Sequence, residues 1–268
     1  MKGLKFSRVP AACATISCMD VNIFSYFTSE MIQPSDKEYK ATKKIMLGLA
    51  TMDPDFIGLA DFIDKTFNVK TINIIYDTID KGQHPRLNIC FEFDREKQSF
   101  YEDGDAVYAP FDKDKQEIIA FKFKELMTNN GIVKKKSLLD SLFTSHRNKY
   151  KVNDVWICYS AFEGIAKCEA NDNVPNERVA ALKEELNCKE LWHIVKMSSG
   201  TTFFVYTDEQ LEKFKNSEIR KQWTAKYFDL LVVYNEFNYF KPEEFSIGLD
   251  SKKNFDINYG GSWYNYFS

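Results

Sequence analysis

The sequence is poor in histidine, glycine and proline, with 3, 11 and 7 of these residues in a chain of 268. It contains neither the glycine-rich loop of P-loop nucleotide-binding proteins nor the Gly-x-Gly-x-x-Gly fingerprint of dinucleotide-binding folds. The Gly-x-Ser-x-Gly motif of serine hydrolases and the His-Glu-x-x-His motif of metalloproteases do not occur either. These absences exclude the enzyme families that depend on the motifs and leave other enzymes open.

The six cysteines do not form a zinc-binding pattern, because no two of them are separated by two residues. They lie at positions 13, 18, 90, 158, 168 and 188. Two stretches rich in acidic and amide side chains, 103–117 and 169–173, lack the glycine and glutamate positions of a calcium-binding loop. We therefore predict reduced thiols, solvated loops, and neither a metal nor another cofactor.

The formal charge of −3 argues against nucleic-acid binding, which requires a clustered basic surface. The basic run Lys134–Lys136 is predicted to be a solvated linker. No stretch of the sequence approaches the ~20 consecutive apolar residues of a membrane-spanning helix. We predict a cytoplasmic protein. The alternative is export as a lipoprotein, because residues 2–18 faintly resemble a signal segment in which Cys13 or Cys18 would be acylated.

The first half of the chain shows helical patterns around one hairpin. A capping box predicts a helix from Ser35 to Leu49, and Asp53 followed by Pro54 predicts the start of a second helix that continues to Phe67. Residues 70–93 alternate between apolar and polar side chains, which predicts a hairpin with one buried and one wet face. A long helix is predicted over 114–129 and a short one over 137–146.

The stretch Leu191–Tyr206 is the strongest strand signal in the sequence. Two runs rich in β-branched and aromatic residues flank Ser198–Gly200, as in a hairpin with a short turn. Both faces of each run are largely apolar, so we place both strands at the centre of a sheet.

Further elements of the second half follow from capping and periodicity. Val155–Tyr159 is predicted to be a buried strand that extends to Cys168, and Thr207 with Gln210 forms a capping box. A long helix is predicted over 219–239 and a last strand over 245–249.

The order helix, strand, turn, strand, acidic stretch occurs twice, which indicates either an internal duplication or a common arrangement met twice by chance. We predict an α+β fold whose mixed or largely antiparallel sheet is covered by helices. The N-terminal segment 1–34 is predicted to pack on the body, followed by similar helix-plus-hairpin subdomains at 35–145 and 152–268; a single compact domain is the alternative.

His193 is the one histidine predicted to lie on a buried strand, while His84 and His146 are placed in solvated loops. A histidine in a sheet is usually held by a hydrogen bond in the core. A carboxylate or thiol beside His193 in a cleft would instead indicate catalysis.

Aromatic residues make up 15% of the chain, including 23 Phe and 14 Tyr. Trp263, Tyr264 and Tyr266 close the sequence after two glycines, where they either pack inward as an edge strand or dock a partner. We select these three residues and Tyr239 as candidate partner-binding residues.

The acidic charge, the aromatic residues and the missing motifs together favour a cytosolic module that binds another protein, and not an enzyme. One concrete form is a bacterial toxin-neutralising immunity protein, whose acidic surface would cover a basic active site. The alternative is a hydrolase or transferase of unrecognised type with a cleft near His193.

Overall fold

The computed structural model describes residues 33–102, 110–133 and 149–267. Besides a 3-10 turn at Asp80–Gly82, the first half contains eight described elements, which are α1 (Lys37–Met46), α2 (Pro54–Phe67), β1 (Thr71–Ile79), β2 (His84–Phe91), α3 (Asp94–Gln98), α4 (Lys113–Asn129), β3 (Trp156–Ala161) and α5 (Phe162–Asn173). The second half contains α6 (Asn176–Leu186), β4 (Leu191–Met197), β5 (Gly200–Val205), α7 (Asp208–Phe214), α8 (Glu218–Leu231), β6 (Gly248–Ser251), α9 (Lys252–Tyr259) and α10 (Trp263–Phe267).

Local capping sets several of the helix boundaries. The Asp53 carboxylate accepts a hydrogen bond from the Asp55 backbone N–H, and Pro54 is the first helical residue, as predicted. The predicted capping box at Thr207 is also confirmed, since its hydroxyl accepts from the Gln210 backbone N–H. The box predicted at Ser35 is wrong, because Asp36 precedes the first helical residue of α1.

The strands β1, β2 and β3 form a mixed sheet with β2 at its centre. β1 and β2 are antiparallel, and β3 runs parallel to β2 with Phe91 opposite Ala161. One face of this sheet forms a core with α2 and α4, which includes Phe56, Leu59, Ile63, Leu87, Ile89, Phe91, Phe123 and Ile157. The predicted α+β fold with a helix-covered mixed sheet is confirmed.

The strands β4, β5 and β6 form a second mixed sheet with β5 at its centre. The prediction that both hairpin strands are central is therefore half right: β5 is central, and β4 is an edge strand of the described sheet. The strand register shifts between Leu191 and His193, so the apolar alternation is interrupted and both Leu191 and Ile194 are buried in the second core. His193 itself is exposed.

The two sheets share one topology. Along the chain, each sheet is built from the same order of elements. A helix precedes an antiparallel hairpin, two further helices follow, and then comes a third strand that is parallel to the second and is followed at once by a helix. Corresponding contacts recur: the Glu163 N–H donates to the Glu92 carbonyl at 2.9 Å, and the Lys253 N–H donates to the Tyr206 carbonyl at 3.3 Å. The repeated order predicted from the sequence is present and extends to the third strand.

Several predicted elements are wrong in type or place. The strand expected to reach Cys168 ends at Ala161, and residues 162–173 are helical. β3 pairs with β2, so it completes the first sheet although it lies beyond the predicted boundary near residue 150. The long helix expected to reach Tyr239 ends at Leu231. Residues 263–267 form a short helix and not an edge strand.

Some predictions fall outside the described residues. They concern the segment 1–32, a loop with acidic residues at 103–109, the linker 134–136, and the helix 137–146 with His146. Within the described ranges Cys90 and Cys158 are buried free thiols, as predicted. None of the helices that the structure describes is both long and apolar enough to span a bilayer.

Candidate functional site

The second sheet is covered on both faces. Phe203 and Val205 of β5 point into the core with the helices, whereas Phe204 points to the opposite face. Phe204 is nevertheless fully buried, because α9 and α10 cover it. We call α9 and α10 together, residues 252–267, the C-terminal cap.

Aromatic rings hold the C-terminal cap on the sheet. The Trp263 ring lies 4.1 Å from the Phe255 ring and 5.3 Å from the Phe204 ring, between centroids. It also stacks on Trp192 of β4 at 5.9 Å with an interplanar angle of 11°. Such pairs contribute about 0.5–1.5 kcal/mol each beyond the area they bury. The cap therefore forms a small additional core with the sheet, and its ring contacts hold it in place.

Hydrogen bonds fix the orientation of the cap. The Tyr266 hydroxyl donates to Asp250 Oδ2 at 2.7 Å, and Asn254 Nδ2 donates to the same carboxylate. Burial and the neighbouring Asp250 charge raise the pKa of the Tyr266 phenol above its usual value. The Ser251 hydroxyl accepts from the Asn254 N–H and caps α9.

Two large apolar side chains of the cap are exposed to solvent. Tyr264 is 82% exposed and Ile257 is 69% exposed. Burying such groups against a partner would be favourable, since apolar area contributes about 25 cal/mol per Å² removed from water. Sequence reasoning selected Tyr264 but missed Ile257. Two residues in the sequence could have predicted α9. Ser251 is its N-cap, and Gly260, which has a positive φ, follows its last residue.

His193 lies at the border of the C-terminal cap. Its ring is 5.7 Å from the Trp192 ring and 5.7 Å from the Trp263 ring. Although the side chain is exposed overall, partial desolvation of the ring, together with the Lys183 charge, lowers the pKa of the imidazole. Within the described ranges, no carboxylate or thiol forms a hydrogen bond or an ion pair with the imidazole.

A shallow depression of about 560 Å³ lies next to the cap. It is lined by Met197, Ser198, Gly200, Thr201, Thr202, Ser246, Gly248, Tyr259, Tyr266 and Phe267. None of these side chains is charged. Its residues come from the β4–β5 turn, the start of β6 and the cap.

Tyr239 is not part of this site. Its ring packs edge-on against Phe93 at 6.0 Å and stacks with Phe237, and its hydroxyl lies 3.5 Å from Glu92 Oε1. Burial and the Glu92 charge raise the pKa of the Tyr239 phenol. Of the four candidate partner-binding residues, the structure thus brings together Trp263, Tyr264 and Tyr266.

The acidic and amide residues at 169–173 belong to α5 and not to a solvated loop. Glu169 accepts hydrogen bonds from the Tyr39 hydroxyl at 2.6 Å and from Lys43 Nζ at 2.7 Å. The buried Asn171 amide donates to the Ser198 and Gly200 carbonyls and so holds the β4–β5 turn. In the part of the chain that the structure describes, no three His, Cys, Asp or Glu side chains are grouped so that they could hold a metal ion.

Comparison of this chain with protein-family models, with curated proteins and with solved structures gave no match.

Proposed function

We propose that the protein binds another protein through the C-terminal cap. The observation that carries this proposal is the exposure of Tyr264 and Ile257 on a cap that other aromatic rings, those of Phe255, Trp263 and Tyr266, hold against the sheet. Binding to a preorganised surface avoids the entropy cost of ordering a loop, and an aromatic side chain is a typical anchor of an interface.

The finer form of the proposal is a toxin-neutralising protein that covers the basic active site of its partner. The net charge of −3 supports a basic partner. However, Asp250 of β6, next to the cap, accepts a hydrogen bond from Tyr266, and Asp256 within the cap is paired with Lys252. A basic partner would therefore contact acidic residues outside the cap, and its affinity would fall steeply as ionic strength rises.

Site-specific photo-cross-linking in the source cells tests the general proposal. A photoreactive phenylalanine in place of Tyr264 is expected to form a discrete cross-linked product. The matched control replaces Phe121, an aromatic residue of α4 that is 72% exposed. Mass spectrometry then identifies the partner, and the purified pair gives the affinity and its salt dependence.

A second test uses the substitution Ile257→Asp in the cap. Its control is Ile118→Asp on α4, because Ile118 is also exposed. We expect the first to weaken binding about 10-fold or more and the second to leave it unchanged, since truncating an interface anchor costs about 2 kcal/mol. Cross-linking that is equal at positions 264 and 121, or absent at both, would contradict the proposal.

A further inference from the structure

The depression beside the C-terminal cap offers chemical groups that differ from the exposed side chains of Tyr264 and Ile257. Its lining combines uncharged hydroxyl side chains with aromatic rings. Its volume of about 560 Å³ lies within the range of small-molecule sites, about 300–1,000 Å³.

Four hydroxyl groups of the lining are available for a ligand. Among the described residues, the hydroxyls of Ser198, Thr202, Ser246 and Tyr259 make no hydrogen bond, whereas that of Tyr266 donates to Asp250. A hydroxyl group both donates and accepts, so a pair of hydroxyls can always find a compatible orientation. The complementary ligand is one that is itself rich in hydroxyl groups.

The aromatic lining adds two apolar rings that meet edge to face. The Tyr259 ring contacts the Tyr266 ring at 4.8 Å between centroids, and both rings are partly exposed. The negative face of such a ring attracts C–H groups that carry a partial positive charge. The C–H face of a pyranose ring has this character.

Gly248 keeps the floor of the depression open. A Cβ atom at this position would lie 2.7 Å from Thr202 Oγ1, so a larger residue would displace the hydroxyl. The uncharged lining disfavours an ionic ligand, because a charge removed from water needs a partner. A wholly apolar ligand would leave the hydroxyl groups unpaired.

We infer that this depression binds a neutral saccharide, whose hydroxyl groups pair with Thr202 and Ser246 and whose ring stacks on Tyr259. This inference is independent of the proposed protein-binding surface, whose anchors Tyr264 and Ile257 are not part of the lining.

The test uses the intact protein with three neutral trisaccharides: maltotriose, cellotriose and triacetylchitotriose. Saturation-transfer NMR and tryptophan fluorescence report binding, because Trp263 lies 6.1 Å from Tyr266 between ring centroids. At least one trisaccharide is expected to bind saturably, with a Kd of about 1 mM or lower. The variant Thr202→Val with Ser246→Ala should weaken that binding at least ~5-fold, because it removes two hydrogen-bonding groups with little change in shape.

The matched control is Thr78→Val, which removes an exposed hydroxyl from β1 of the first sheet. It should leave the affinity unchanged. The inference is overturned if no trisaccharide binds, if the double variant binds as tightly as the parent, or if a glucuronate-containing trisaccharide binds equally well. Cross-linking at position 264 is unaffected by each of these results, so the two proposals fail separately.

Discussion

The two sheets have the same topology but differently composed outer faces. Strand register makes Asn73 and Cys90 of the first sheet equivalent to His193 and Phe204 of the second. On the first sheet this face is polar, and Asn73 Nδ2 donates to Thr42 of α1 at 3.0 Å. On the second it is aromatic and covered by the C-terminal cap. The same topology thus supports either a polar contact with a helix or an aromatic one.

The largest difference should appear when the equivalent central residues are truncated. Phe204→Ala is expected to destabilise the protein by about 3–5 kcal/mol, because it removes a fully buried ring. Cys90→Ala should cost only about 1 kcal/mol, since it removes one small buried group. Urea unfolding measures both changes. Equal costs would show that the cap contributes nothing to the second sheet.

The polar links between helix and sheet should differ by a smaller amount. Asn171 bonds two turn carbonyls and accepts from the Tyr227 hydroxyl, so Asn171→Ala should cost about 2–3 kcal/mol. Among the described residues, the Asn73 side chain makes a single hydrogen bond, to Thr42, and Asn73→Ala should cost about 1 kcal/mol. Thermal unfolding of the two variants, compared with the parent, ranks them. The reverse order would contradict this account of the β4–β5 turn.

The smallest difference between the two halves is expected at alkaline pH. Burial raises the pKa of Tyr150, in the first core, and of Tyr227, in the second, from 10.0 to about 12. The folded state therefore favours the neutral phenol. This contribution to stability is complete below pH 10 and is lost as the pH rises towards 12.

Replacing either tyrosine by phenylalanine should reduce the loss of stability between these pH values, as measured by urea unfolding in a pH series. An unchanged pH dependence in both variants would refute the assignment. A reduction in only one of them would show that the two cores differ in how they hold the phenol.

Local chemistry explains which elements the sequence predicted well. Asp53 with Pro54, and Thr207 with Gln210, specify helix starts through hydrogen bonds within four residues. The alternation of 70–93 predicted the first hairpin. Its polar face was expected to be wet, but Asn73 is buried, because α1 supplies a hydrogen-bond partner. That burial depends on a residue distant in sequence and was not visible locally.

The errors at the candidate site have the same origin. The register shift beside Trp192 breaks the alternation from which His193 was placed in a buried position. The block after Gly261 forms a helix because Phe204 and Phe255 offer rings for Trp263 to pack against. An aromatic-rich segment suits either a strand or a helix, and tertiary contacts decide between them. The parallel pairing of β3 with β2 likewise joins segments far apart in the sequence.

The helix α5 packs against both halves of the protein. Its first residue, Phe162, stacks on Tyr39 of α1, while Ala170 and Val174 at its other end belong to the second core. Loss of the second core would strip the last turn of α5, and loss of α1 would loosen the first. A cut within α5 would therefore remove contacts from one half or the other. If the two halves arose by duplication of one unit, the helix that joins them must have acquired a second buried end. After that step, unfolding or sequence change in one copy would have affected the other.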